Sequence, residues 1–310
     1  MTTDIKVQVR EILAKYDLDF RIEKLPSVAL RKGMGVGTNG DFVEVLNQVE
    51  TPYFMLYNDK SGEIINSVKK GYTVSQNDDI LELMLEGVKA LPSEYANTLS
   101  VYKAGSINGG RKVFLQLAIE GDGFVNGDRI KRYITLIDSN DGSTGLSVGV
   151  SDLTMSCQNQ FFQFYKDGQS RFKHTNSLNA RKFEIKDMVE RQLRRSFELI
   201  EFYNEFAQVS VTDKMIHEAV KEVYGYNRLE NELPTRVTNV LDVLYTDIRT
   251  EIENKGKTLW GLHSGFTKWS THHRTAPKRD NGRIESLMLS GNYKVNDKSF
   301  KYAVKQLELA

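Results

Sequence analysis

The sequence is poor in residues that build specialised chemistry. It has 310 residues and one cysteine, Cys157, which excludes an intrachain disulfide and any zinc or iron–sulfur centre assembled from several thiolates. Five prolines are too few for a proline-rich linker protein. No window approaches the run of about 18 apolar residues that a membrane span needs. The opening MTTDIKVQVREILAKYD is charged every few positions, where a signal peptide requires an apolar stretch. A cytoplasmic protein with no membrane partner is therefore expected. What is present is ordinary for a folded chain: 40% hydrophobic and 27% charged residues, enough for two small domains or one large one.

Net charge is nearly absent as well, at +1 from 42 basic and 41 acidic residues. The charges are nevertheless segregated. Lys and Arg against Asp and Glu number 17 to 21 over residues 1–160, 9 to 4 over 161–196, 5 to 12 over 197–254 and 11 to 3 over 255–305. The two basic stretches also hold His174, His263, His272 and His273, and can offer a polyanion positive surface. The competing reading is that acidic and basic segments pack beside each other and cancel.

The first half reads as strands. Residues 53–58, 63–68, 98–103, 112–119, 132–138 and 145–155 are short and rich in β-branched and aromatic residues. Between them lie turn sequences such as Asn108-Gly109-Gly110, Asn126-Gly127-Asp128 and Asn140-Asp141-Gly142, which favour antiparallel hairpins. One helix is interposed, capped near Ser75 and ended by Pro92, with Ile80, Leu83, Met84, Gly87, Val88 and Leu91 at helical spacing. The second half reads as helices over 179–209, 212–224, 234–254, 259–270 and 300–309, with a polar basic loop at 275–281. The expectation is an α+β protein: an N-terminal helix and glycine loop over 1–40, an antiparallel sheet region over 41–160 covered on one face, and a helical region over 161–310.

Candidate chemistry is sparse. Gly35-Val36-Gly37-Thr38-Asn39-Gly40 has the spacing of a dinucleotide turn and precedes Phe42, Val45, Leu46 and Val49 at helical spacing. No buried strand leads into it, and the following strands read as antiparallel, so a mobile glycine loop is the better reading. Cys157 reads as a small buried thiol. Adjacent His272 and His273 cannot both turn to one metal, so neither a metal nor a cofactor is expected. Arg191, Arg194 and Arg195 fit a salt-laced helix face through Glu190 and Glu198. The better candidate interleaves aromatics with cations: Trp260, His263, Phe266, Lys268, Trp269, His272, His273, Arg274, Lys278, Arg279 and Arg283. Single-stranded nucleic acid asks for that pairing, because cations follow the backbone while rings stack bases. Core burial of Trp260, Phe266 and Trp269 is the alternative. Lys69, Lys70, Arg111, Lys112, Arg129, Lys131 and Arg132, each beside a strand or hairpin, supply a second basic strip, and His174 joins the candidates.

Several strings together carry a resemblance. Asp141-Gly142-Ser143 before a strand, Cys157-Gln158-Asn159 at its end, Arg171-Phe172-Lys173-His174-Thr175, and Trp260-Gly261 with Trp269 and His272 resemble the phage- and plasmid-borne family called domain of unknown function 932, over roughly residues 40–305. Gln160 stands where that pattern more often has threonine. The resemblance implies a mobile-element setting and carries over no catalytic residue. A small antiparallel sheet joined to a helix is also similar, at the level of fold alone, to phage single-strand annealing proteins of the RecT and Redβ kind. The expected function is non-enzymatic binding of single-stranded DNA, extending to strand annealing by a homo-oligomer. The alternative is an interaction protein of a phage that binds a host defence or transcription component.

Overall fold

The computed structural model describes residues 4–89, 91–93, 97–156, 158–163, 171–172, 182–225 and 233–310. Cys157 and His174 lie outside them. The chain is α+β as the sequence pattern implies, with strands concentrated in the first half and helices in the second.

Helix α1 (Ile5–Lys15) starts where the Asp4 carboxylate accepts from the Lys6 amide at 3.1 Å, and it buries Val9 and Ile12. A three-stranded antiparallel sheet follows, ordered β1 (Ile22–Val36), β2 (Phe42–Asn58), β3 (Ile64–Lys69). Here the expected glycine loop is corrected. Strand β1 runs through Gly33 and Gly35, the chain reverses where the Gly37 amide donates to the Asp41 carbonyl at 2.7 Å, and Gly40 supplies the positive φ of 84°. Phe42, Val45, Leu46 and Val49 lie on the returning strand and not on a helix. The β-branched Val43, Val45 and Val49 favour extended backbone, and apolar residues on both faces hide the period of two that would have announced it.

Helix α2 (Asn77–Lys89) matches the interposed helix, with Asp78 and Asp79 in its first turn and Ile80, Leu81, Met84 and Val88 buried. The large sheet is antiparallel throughout. Its order is β10 (Arg171–Phe172), β8 (Leu146–Thr154), β7 (Asp128–Ser139), β5 (Lys112–Ile119), β4 (Leu99–Ile107), with β6 (Gly123–Val125) on β7 and β9 (Gln160–Gln163) on β8. Asn126 and Gly127, at φ 47° and 82°, make the tight turn between β6 and β7.

Register divides this sheet into two faces. Val113, Leu115 and Leu117 of β5, Ile134 and Leu136 of β7 and Val148 of β8 share one face and form a core with α2 and with the start of α3 (Lys182–Phe206). Farther along the same face, Ile130 and Val150 meet Leu199, Tyr203 and Phe206 of α3 and the helices that follow. These are α4 (Asp213–Tyr224), α5 (Thr235–Lys255), α6 (Leu259–Lys268) with a widened turn at Trp269–His273, α7 (Gly282–Leu289) and α8 (Gly291–Leu307). The second face is not bare, as a sheet covered on one side would be. Helix α7 lays Leu287 and Met288 against Ile107, Phe114, Ile137 and Phe162. The polar loop expected at 275–281 leads directly into α7, a helix that residues 282–289 did not announce.

Candidate functional site

The second face of the large sheet collects the described side chains best suited to a ligand at the surface. Residues 129, 131, 133 and 135 of β7 point to it, as do Lys103, opposite Gln116, and Ala118, opposite Tyr133. An irregularity between Val101 and Lys103 gives β4 one extra residue, Tyr102. Its ring stays 47% exposed and lies 4.6 Å from the buried Tyr133 ring. The Tyr16 hydroxyl fixes this bulge by donating to the Tyr102 carbonyl at 3.1 Å. Burial, with the neighbouring Tyr102 second, raises the Tyr133 hydroxyl pKa, so it stays protonated. Lys103 and Lys131 are half-buried and Arg129 is exposed. Behind them Gln116, Thr135 and Ser151 form a buried ladder in which the Thr135 and Ser151 hydroxyls are 2.9 Å apart. The result is an aromatic ring with cations beside it on a rigid strand surface.

The other expected cations have different surroundings. Lys69 and Lys70 are exposed at the end of β3, where Lys69 stands opposite Tyr53. Arg111 donates to the carbonyls of Ile64 and Ile65. Lys112 is 5% exposed and pairs with Asp141 at 2.7 Å and Glu285 at 3.0 Å. Arg132 is also 5% exposed, under the Phe197 ring, and donates to the Gly121 carbonyl at 3.2 Å. Arg129 pairs with Asp122. Buried Lys112 and Arg132 hold the fold together and are out of reach of a docked strand.

The aromatic rings of the carboxy-terminal stretch are turned inward. Trp260, Phe266 and Trp269 are all buried, Trp269 at 3% exposure with Arg274 5.7 Å from its ring centroid. Lys268 pairs with Glu251 at 3.4 Å, His273 with Asp247 at 2.6 Å and Arg279 with Glu285 at 2.5 Å. Arg274 donates to Asn292, and Arg283 to the carbonyls of Ser270 and Arg274. His272, His273, Lys278 and Arg279 are exposed. Acidic residues of α5 thus meet two side chains of the segment, Lys268 and His273, while Arg279 pairs within the turn and helix that follow. The aromatics expected to stack bases are instead the core of the helical end.

Sequence reasoning missed a buried polar cluster beneath that core. Asp152 of β8 accepts from the Tyr203 hydroxyl at 2.9 Å, and burial pushes its pKa up to about 7 against the pull of Tyr203 and Arg132. His263 of α6 is held by the Ser299 hydroxyl at 2.8 Å, and burial followed by the charge of Lys255 pushes its pKa down to about 3. Among the described residues Asp152 Oδ1, Asn159 Oδ1, Trp260 Nε1 and His263 Nε2 have no hydrogen-bond partner, and their residues line one small cavity of about 10 Å³, the space of about one water. Trp260 also borders an open cleft of about 490 Å³. There the buried Lys255 ammonium pairs with Asp128 at 2.9 Å and Glu251 at 3.2 Å. No signal in the sequence brings these residues together, since they come from β7, β8, the residues just before β9, α3, α5, α6 and α8. Among the described residues no group of three or more His, Cys, Asp or Glu is placed to hold a metal, and no helix is long and apolar enough to cross a membrane.

Comparison with known proteins gives one match. A family model described as Domain of unknown function (DUF932) matches residues 64–290. No curated protein and no solved structure matches the chain.

Proposed function

The chain belongs to the Domain of unknown function (DUF932) family, whose description names no activity, and we propose that it binds single-stranded DNA on the partly open face of its large sheet. The observation that carries this reading is the exposed Tyr102 ring on a bulged strand, with Lys103, Lys131 and Arg129 on the same face. A ring face stacks any base, and neighbouring cations follow the phosphates, so such a surface binds a strand without reading its sequence. Hydrogen-bonding edges of stacked bases stay free for pairing, which fits an annealing role. Burial of the carboxy-terminal rings Trp260, Phe266 and Trp269 supports the sheet face over the helical end as the path of the strand.

Fluorescence anisotropy with a labelled oligothymidine tests the proposal. Binding should weaken steeply with salt. The double variant Lys103→Ala, Lys131→Ala should make the salt slope shallower by about 1 to 2 units. Tyr102→Ala should cost about 1 to 3 kcal/mol of affinity while leaving the melting temperature unchanged. No detectable binding at about 50 mM salt would overturn it.

A further inference from the structure

Strands β1 and β2 extend well beyond the sheet that anchors them. Strand β3 pairs with β2 only from Tyr53 to Tyr57, so residues 28–36 and 42–50 continue as a two-stranded arm. Register puts Val28, Leu30, Lys32, Met34 and Val36 on one face with Phe42, Glu44, Leu46, Gln48 and Glu50. The apolar members of this face are strongly exposed, Leu30 at 62%, Met34 at 68% and Phe42 at 75%. A lone two-stranded ribbon is marginal in water, and a contiguous apolar patch on an otherwise polar surface marks an interface.

The arm's charges say what kind of neighbour it fits. From Ser27 to Val36, β1 carries Arg31 and Lys32 and no carboxylate; from Phe42 to Thr51, β2 carries Glu44 and Glu50 and no cation, with Asp41 just before it. Among the described strands the outer edge of β1 has no partner, and neither has the outer edge of β2 over residues 42–51. Within one arm Lys32 already bridges to Glu44 at 2.6 Å. Placing β1 of one arm beside β2 of a second copy repeats that register between molecules, so each Lys32 lies between its own Glu44 and its neighbour's. Pairing β1 with β1, or β2 with β2, sets like charges opposite each other, which destabilises a sheet. With both arms pointing the same way, β1 and the neighbour's β2 run antiparallel, the favoured pairing.

We propose that the arm is the self-association element of this protein, its basic β1 edge adding to the acidic β2 edge of a second copy in a head-to-tail sheet. Such a contact uses different surfaces on the two molecules, so it propagates until a ring closes or a filament forms. The apolar faces then merge into one continuous surface. A lipid surface fits less well, because Lys32, Glu44 and Glu50 interrupt the apolar face and a polar Thr38-Asn39-Gly40-Asp41 turn forms its tip. The inference stands independently of DNA binding, and its test contains no nucleic acid.

The experiment is light scattering on the full chain and two charge-reversed variants, one carrying Arg31→Glu and Lys32→Glu, the other Glu44→Lys and Glu50→Lys. The wild type should have a mass several times the 35.4 kDa of one chain. Each variant alone should fall to about one chain, since its two edges then carry the same sign, with circular dichroism near wild type because all four residues are exposed and the lost Lys32–Glu44 bridge is confined to the arm. Mixing the variants in equal amounts should restore assembly, as the acidic β1 edge of one meets the basic β2 edge of the other. A wild type that stays at one chain across the micromolar range, variants that assemble as the wild type does, or a mixture that stays at one chain would each overturn the proposal.

Discussion

Asp152 and His263 are buried in the same polar cluster and are pushed in opposite directions by the same cause, loss of water around the charged form. Their consequences for stability are opposite in sign. Asp152 titrates at about 7 in the fold against an ordinary carboxylate value of 3.8, so between those values the folded chain holds a proton that the unfolded chain has lost. Raising the pH through that window destabilises the fold. His263, at about 3 against 6.5, refuses a proton that the unfolded chain accepts, so lowering the pH through its window destabilises the fold. Replacing Asp152 by Asn removes the first effect and keeps an acceptor for the Tyr203 hydroxyl. The stability difference between variant and wild type, from urea titrations at several pH values, should move in the variant's favour from about pH 4 to 7 and then level off. A difference that is flat across this range would mean that Asp152 is already ionised in the folded chain. Asp152 does not stand out in the sequence, and His263 does so only as a member of the aromatic and basic stretch, because a lone Asp on a strand and a lone His on an apolar helix acquire this meaning only when distant segments bury them together. Trp269 stands out in the sequence for the wrong reason. A large ring among cations has the composition of a stacking site, yet the ring packs inside and Arg274 lies against it. Composition cannot tell an outward ring from an inward one.

At the scale of elements, helices α5 and α6 lie unusually close, and glycine is the cause. A Cβ at Gly261 would stand 2.2 Å from the Gly256 carbonyl oxygen and 3.2 Å from Ile252 Cα; at Gly265 it would stand 2.5 Å from Ile248 Cα. Gly261 and Gly265 are four residues apart on α6 and meet Ile252 and Ile248, four apart on α5. The two backbones therefore approach along a strip that no larger residue allows. Gly261→Ala and Gly265→Ala should each destabilise the protein by at least the about 1 to 3 kcal/mol typical of overpacking, since the atoms in the way are backbone and cannot swing aside. Chemical denaturation measures this directly, and a loss below about 0.5 kcal/mol would mean that the helices can move apart freely. Both helices were legible from their spacing, and so were α2 and the four long strands β4, β5, β7 and β8 of the large sheet, but not the short β6, β9 and β10. The β1–β2 arm was not. Its residues 42, 45, 46 and 49 satisfy a helical period as well as membership of a strand that is apolar on both faces, and four glycines nearby imitate a nucleotide-binding turn.

For the whole molecule, strands and helices segregate along the chain but not in the core. Helix α3 joins the two: Ile185, Met188, Val189 and Leu193 pack with α2 and the large sheet, while Leu199, Tyr203 and Phe206 pack with the helices that follow. Val125, Ile130 and Val150 of the sheet belong to that second cluster. Charge crosses the same divide, since Lys255 pairs with Asp128 and Lys112 with Glu285. Removing one partner of such a buried pair leaves the other charge uncompensated, at a cost of about 3 to 5 kcal/mol. The segregated charge read from the sequence is thus a record of internal pairing as much as of outward surface. This arrangement makes a testable demand on cooperativity. Trp260 and Trp269 both sit in the helical end and the core it shares with Val125, Ile130 and Val150, so their fluorescence follows that core, while far-ultraviolet circular dichroism follows strands and helices together. In urea the two signals should change in a single transition with the same midpoint, because α3 cannot lose one cluster and keep the other. Fluorescence that changes at lower urea, with half of the dichroism retained, would instead show that the helical end unfolds on its own and that α3 does not transmit stability across the sheet.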